Sequence, residues 1–169
     1  NVDILLGPEM KSTGEVMGIS DTFGESFKRA IISSGNKIFY KGTVFFSVND
    51  PDKLNAIPIA RDLQELGYKI VATQGTSLEL NRNGIRVKTV FKVGEGRPNI
   101  LDHIMNNEIQ MVINTPLGSK SRYDEEAIGR ACIQKGIMAI TTLSGANAAV
   151  RAIRSRKRKS VKSLQAYHS

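Results

Sequence analysis

The chain has 169 residues, 40% hydrophobic and 24% charged, a composition that suits one soluble globular domain with its own core and a short appendage. No apolar run approaches the roughly 18 residues of a membrane span, no signal-peptide pattern heads the chain, and the single cysteine, Cys132, excludes an internal disulfide and a multi-cysteine zinc site. The formal net charge of +8 is concentrated late, at Arg151, Arg154, Arg156, Lys157, Arg158, Lys159 and Lys162. Without an aromatic-rich RNA-binding strand, zinc-finger spacing or a helix-turn-helix, a solvated basic tail over 155–169 outweighs nucleic-acid binding. Cys132 lies in an apolar-periodic stretch, which predicts a buried thiol and fits a reducing, cytoplasmic setting.

In chain order, Val2–Leu6 reads as a strand cut from something larger, and Gly7–Gly18 as a glycine-punctuated loop. Thr22 with Glu25 makes a capping box, and Phe23, Phe27, Ala30 and Ile31 form the apolar stripe of a short helix that Gly35 stops. A boundary at 36 separates this opening from the main domain.

From Lys41 strands and helices alternate. Thr43–Val48 is a β-branched and aromatic strand. Asn49-Asp50-Pro51 starts a helix to about Leu66, with Leu54, Ile57 and Leu63 inward and Pro58 distorting it. Tyr68–Ala72 is the second strand. It runs into Thr73-Gln74-Gly75-Thr76, a tight turn opening onto a helix from about Ser77. Ile85–Phe91 is a third strand and the segment around Ile100–Met105 a helix. Gln110–Asn114, the helix Tyr123–Lys135, the strand Ile137–Ile140 and the helix Gly145–Ile153 complete the series. Strands separated by helices predict a parallel sheet with helices on both faces, a three-layer α/β/α sandwich.

In such a sheet ligands bind beyond the carboxyl ends of the strands. Those ends carry Lys53, Thr73, Thr76, Lys92, Asn114, Thr115, Thr141 and Thr142. Lysine offers a point charge, threonine a directional hydrogen bond, and a helix start free backbone N–H groups, a set that suits a phosphate. Catalytic groups are thin. His103 and His168 have no evident carboxylate or metal partner, and Asp102 and Asp124 lie on helices or at their starts. A phosphate-binding module fits better than an enzyme.

The motif G-P-E-M-K-S-T-G-E-V-M-G at Gly7–Gly18 closely resembles the end of the second synthetase (ATP-grasp) half of the carbamoyl phosphate synthetase large subunit. S-V-N-D-P-D-K, A-T-Q-G-T, V-G-E-G-R-P-N-I, I-N-T-P and T-T-L resemble that subunit's allosteric domain, of the methylglyoxal-synthase-like, Rossmann-like fold. The resemblance implies three parts: 1–36 as the end of the synthetase half and a connecting helix, 37–154 as the allosteric domain, and 155–169 as the tail. The family makes carbamoyl phosphate from bicarbonate, glutamine-derived ammonia and ATP, for pyrimidine and arginine synthesis. Its partner is a glutaminase small subunit, and ATP with Mg or Mn binds in the upstream synthetase domains.

Glu9, Lys11 and Thr13 would then be an edge of the preceding domain, and the 169 residues themselves would hold no cofactor and no catalytic residue. In the family this domain binds UMP or IMP. The resemblance implies phosphate contacts from Lys53, Thr73, Thr76 and Lys92, and sugar or base contacts from Val93, Ile100, Asn114, Thr115, Asp124 and Ile128. Pro116 stands where related sequences often carry another threonine. The ornithine region would retain only Thr141, since Ala139 and Ile140 replace the family's tyrosine and aspartate. Two relatives of the fold, methylglyoxal synthase and the IMP cyclohydrolase domain, would make the chain an enzyme on a small phosphorylated substrate. However, Arg97 stands near the place of the synthase's catalytic aspartate, and the cyclohydrolase does not explain the opening motif.

Overall fold

The computed structural model describes residues 16–115, 122–155, 163 and 165–168. The opening strand and most of the Gly7–Gly18 motif, with Glu9, Lys11 and Thr13, fall outside these residues, as do Pro116 and most of the basic tail. The elements are α1 Phe23–Ser33, β1 Gly42–Val48, a 3-10 turn Asp50–Asp52, α2 Lys53–Glu65, β2 Tyr68–Ala72, α3 Gln74–Arg82, β3 Val87–Thr89, α4 Ile100–Met105, β4 Met111–Thr115, α5 Arg122–Lys135, β5 Met138–Ile140, α6 Leu143–Arg154 and α7 Gln165–His168.

All five strands are parallel, in the order β3-β2-β1-β4-β5. The central strand β1 alternates its side chains between two apolar layers. Val44, Phe46 and Val48 point to one layer with Ile70, Ala72, Met111 and Ile113, capped by Ala56, Ile59, Ala60 and Leu63 of α2 and Ala146, Ala149, Val150 and Ile153 of α6. Phe45 points to the other with Val112, covered by Ile100 and Ile104 of α4 and Ile128, Ala131 and Cys132 of α5. A central strand buried on both faces explains its unbroken run of β-branched and aromatic residues. The sandwich is thus the three-layer α/β/α arrangement expected.

Three local expectations change. Leu54 is 68% exposed, while Ala56, Ile59, Ala60 and Leu63 carry the inward face of α2. The 3-10 turn over Asp50–Asp52 delays the helix and rotates its stripe. Helix α2 also runs through Pro58. Helix α3 begins at Gln74 rather than Ser77, so Thr73-Gln74-Gly75-Thr76 is its N-cap and first turn. The third strand shrinks to Val87–Thr89, with an isolated bridge from Phe91 to Asn99 beyond it.

Helix α1 lies on α6. Thr22 caps it, accepting from the Glu25 N–H at 3.4 Å, and Lys28 Nζ donates to the Ser155 carbonyl at 2.6 Å. Phe23 stacks on Phe27 with ring centroids 5.7 Å apart, and the Arg151 guanidinium sits 4.4 Å from the Phe23 centroid. The helices meet at Gly24, where an added Cβ would come within 2.6 Å of the Arg151 carbonyl oxygen.

Candidate functional site

The chain runs β1-β2-β3 to one side and then returns to place β4 on the other side of β1. That reversal opens a crevice between the carboxyl ends of β1 and β4, where Ser47 pairs with Asn114 and Val48 with Thr115. An open cleft lies there, lined by Phe45, Ser47, Thr73, Lys92, Val93, Ile100, Asn114, Asp124, Glu125 and Ile128. Seven residues expected at the site thus line one space: Thr73, Lys92, Val93, Ile100, Asn114, Asp124 and Ile128. Phe45, Ile100 and Ile128 are buried and give it an apolar floor, while Lys92 is exposed at its rim.

The other expected residues stand beside this cleft. Thr73 N–H donates to the Phe46 carbonyl at 3.1 Å, continuing the sheet one residue past β2. The first helical bond of α3 is from Ser77 N–H to the Thr73 carbonyl, 2.8 Å, which leaves the N–H groups of Gln74, Gly75 and Thr76 directed out of the helix end. Thr73 makes no side-chain capping bond to them. Its hydroxyl donates instead to Thr76 Oγ1 at 3.4 Å. Thr76 is 2% exposed and fastened to β1, accepting the Val48 N–H at 3.2 Å and donating to the Val48 carbonyl at 3.4 Å. Thr115 accepts the Asn49 N–H at 3.2 Å, locking the turn after β1 to the end of β4.

Lys53 opens α2 and reaches across to α3. A Cβ on Gly75 would lie only 2.9 Å from Lys53 Nζ, so the ammonium covers the open first turn of that helix. A glycine is otherwise a poor helix residue, costing about 1 kcal/mol relative to alanine. Here it makes room for the lysine. The ammonium pairs with Asp50 Oδ1 at 2.6 Å. Lys53, by hydrogen bond and then by charge, holds the Asp50 carboxyl below its usual range, and the charge of Lys92 adds to this. Both lysines therefore act on one spot.

Thr141 is exposed after β5, on the far side of β4 from β1, and Thr142 caps α6 by accepting the Gly145 N–H at 3.1 Å. Sequence reasoning did not assign Asp50, Ser47 or Glu125 to the site, and it read Gly75 only as part of the turn. A signal for Asp50 existed in its i,i+3 spacing to Lys53. It also denied His103 a carboxylate partner, whereas Nδ1 lies 2.6 Å from Glu108 Oε2, because the α4–β4 turn brings the two together. Asp102 receives the Asn99 N–H at 2.8 Å in a capping box and lies 3.8 Å from Arg97. Arg97 is 83% exposed. Of the basic cluster, Arg151 is engaged with Phe23, and Arg154 with Asp62 at 2.7 Å and Glu65 at 3.7 Å.

A parallel sheet of this order, with an apolar-floored, polar-rimmed cleft and two lysines at its switch point, defines a class. Residues 55–141 match the MGS-like domain family, and the chain belongs to that family. Over 170 residues it is 50% identical to the carbamoyl phosphate synthase large chain of Acidobacterium capsulatum, covering 99% of this chain and 16% of that protein. It is 46% identical over 157 residues to the carbamoyl phosphate synthase large chain, C-terminal section, of Aquifex aeolicus, covering 93% of this chain and 29% of the relative. The chain thus spans less than a third of the length of these relatives. The crystal structure of ForH superimposes with a TM-score of 0.50 at 17% identity, covering 68% of this chain and 80% of that one, a likeness of fold. Among the described residues no helix is long and apolar enough to cross a membrane.

Proposed function

We propose that the chain is the regulatory domain of a carbamoyl phosphate synthetase large chain and binds a nucleoside monophosphate, UMP or IMP, by its phosphate. One observation carries this reading. The open first turn of α3, covered by the Lys53 ammonium, stands next to a cleft holding Thr73, Lys92 and Asn114 at the topological switch point. Free helix N–H groups, a helix dipole and two ammonium groups suit an anion, and the lined cleft beside them would take the sugar and base. Asn114 and Asp124 supply hydrogen-bonding groups there, and Val93, Ile100 and Ile128 apolar contact.

The similarity to large chains supports the rest of the proposal. The domain would follow upstream synthetase domains of one chain, which use ATP with Mg or Mn to make carbamoyl phosphate from bicarbonate and glutamine-derived ammonia, with a glutaminase small subunit as partner. The effector would act by linkage. A nucleotide that prefers one domain arrangement shifts the enzyme by its differential affinity, typically about 1–3 kcal/mol. Ornithine is outside the proposal, because Thr141 lies beyond β5 and neighbouring Ala139 and Ile140 offer no carboxylate to an ammonium.

Calorimetric titration of the 169-residue chain with UMP, IMP and uridine tests the site. The monophosphates should bind and uridine should not, and Lys53→Ala should weaken binding by about ten- to a hundredfold, the worth of a charge-assisted hydrogen bond. Absence of nucleotide binding at millimolar concentration, or an unchanged affinity in Lys53→Ala, overturns the reading.

A further inference from the structure

Lys53 already holds an anion. Its Nζ is 2.6 Å from Asp50 Oδ1, with the lysine side chain 22% exposed and the carboxylate 87% exposed. The ammonium therefore has two neighbours. On its enclosed side is the backbone of Gly75, in the first turn of α3, and on its solvent side is the Asp50 carboxylate. Two other acids nearby, Asp52 and Glu95, are committed elsewhere. Asp52 Oδ2 accepts from Asn49 Nδ2 at 2.8 Å, and Glu95 Oε2 accepts the Lys92 N–H at 3.1 Å. Asp50 alone among these acids is paired with the lysine that covers the helix end, and the field of Lys92 reaches it too.

A phosphate dianion on the Lys53 ammonium would stand beside this carboxylate and be repelled by it. Two anions compete for one charge. The pair is also exposed enough to break, since solvent-screened ion pairs contribute little net stability.

We propose that Asp50 is an internal anion that occupies the phosphate position of Lys53, so that ligand binding is an exchange of carboxylate for phosphate and Asp50 sets the threshold for it. This rests on the reading of the cleft as a phosphate site and adds a device that reading does not contain. The exchange selects for charge. A dianion displaces the carboxylate, whereas an uncharged nucleoside offers the ammonium nothing better and leaves the pair intact.

Calorimetry on the 169-residue chain with inorganic phosphate and UMP, in a two-by-two cycle of Asp50→Asn and Lys53→Ala, tests the exchange. Asp50 is solvent-exposed, so the asparagine leaves the fold intact. Asp50→Asn should bind both ligands about two- to fivefold more tightly, the weight of an exposed ion pair, and the gain should vanish in the Lys53→Ala background. If wild type binds and Asp50→Asn binds equally or more weakly, the exchange is wrong while the phosphate site stands. A gain that persists without Lys53 also overturns it, since Asp50 would then act only as a distant charge. If neither wild type nor Asp50→Asn binds phosphate or UMP, both the exchange and the site fail.

Discussion

Thr76 shows how closely the site and the fold are joined in single residues. Its hydroxyl fastens α3 to the buried end of β1 through both polar groups of Val48. Thr76→Val keeps the shape but strands the Val48 N–H in a buried place, so the chain should lose about 1–3 kcal/mol of stability in denaturant unfolding. An unchanged midpoint would show that this hydroxyl is dispensable to the fold. At Cys132, 1% exposed, burial pushes the thiol up to about 11. The native chain should therefore resist iodoacetamide at neutral pH and react once unfolded, and rapid stoichiometric labelling of the native state would contradict the burial. The Cys132 environment was legible because its apolar neighbours repeat with helical period. Asp50 was only hinted at by its spacing to Lys53, since the pairing depends on a 3-10 turn handing over to α2 at that lysine. Leu54 misled for the same reason, because the turn shifts which residues of α2 face inward.

At the scale of elements, the contact of α1 with α6 rests on an absent side chain. Gly24→Ala would drive a methyl into the Arg151 carbonyl, 2.6 Å away, and should cost about 1–3 kcal/mol through forced separation of the helices. A variant as stable as wild type would show that α1 adds nothing to the sandwich. The α4–β4 turn is closed by His103 and Glu108, and the hydrogen bond from His103 holds the Glu108 carboxyl below its usual range. A depressed carboxyl stabilises the fold above its unfolded value, about pH 4.3, and that contribution is lost as the pH falls through the lower folded value. The stability difference between wild type and Glu108→Gln should therefore be present at about pH 6 and shrink as the pH falls below about 4.3, as read by chemical denaturation. A difference that does not shrink on acidification would remove the pair from the account. The α3 boundary was misread because Gly75 reads as a turn residue in one dimension, whereas in three it yields its space to Lys53. The pairing of His103 with Glu108 was invisible because it spans a helix end and a turn.

For the whole molecule, the alternation of strands and helices made the layered parallel fold readable before any coordinate was known. The strand order was not readable. Only tertiary packing decides that β4 returns beside β1, and that return creates the crevice into which Thr73, Lys92 and Asn114 converge. The central claim is that a phosphate-terminated ligand binds at this carboxyl edge and nowhere else on the sheet. A backbone amide NMR titration of the chain with UMP, with uridine as the control, tests it most directly. The account predicts saturable shifts clustered at Gln74, Gly75, Thr76, Lys92 and Asn114, with uridine leaving them unmoved. Shifts absent, equal for uridine, or centred instead at the opposite end of the strands around Lys37, Tyr68 and Gln110, would contradict it.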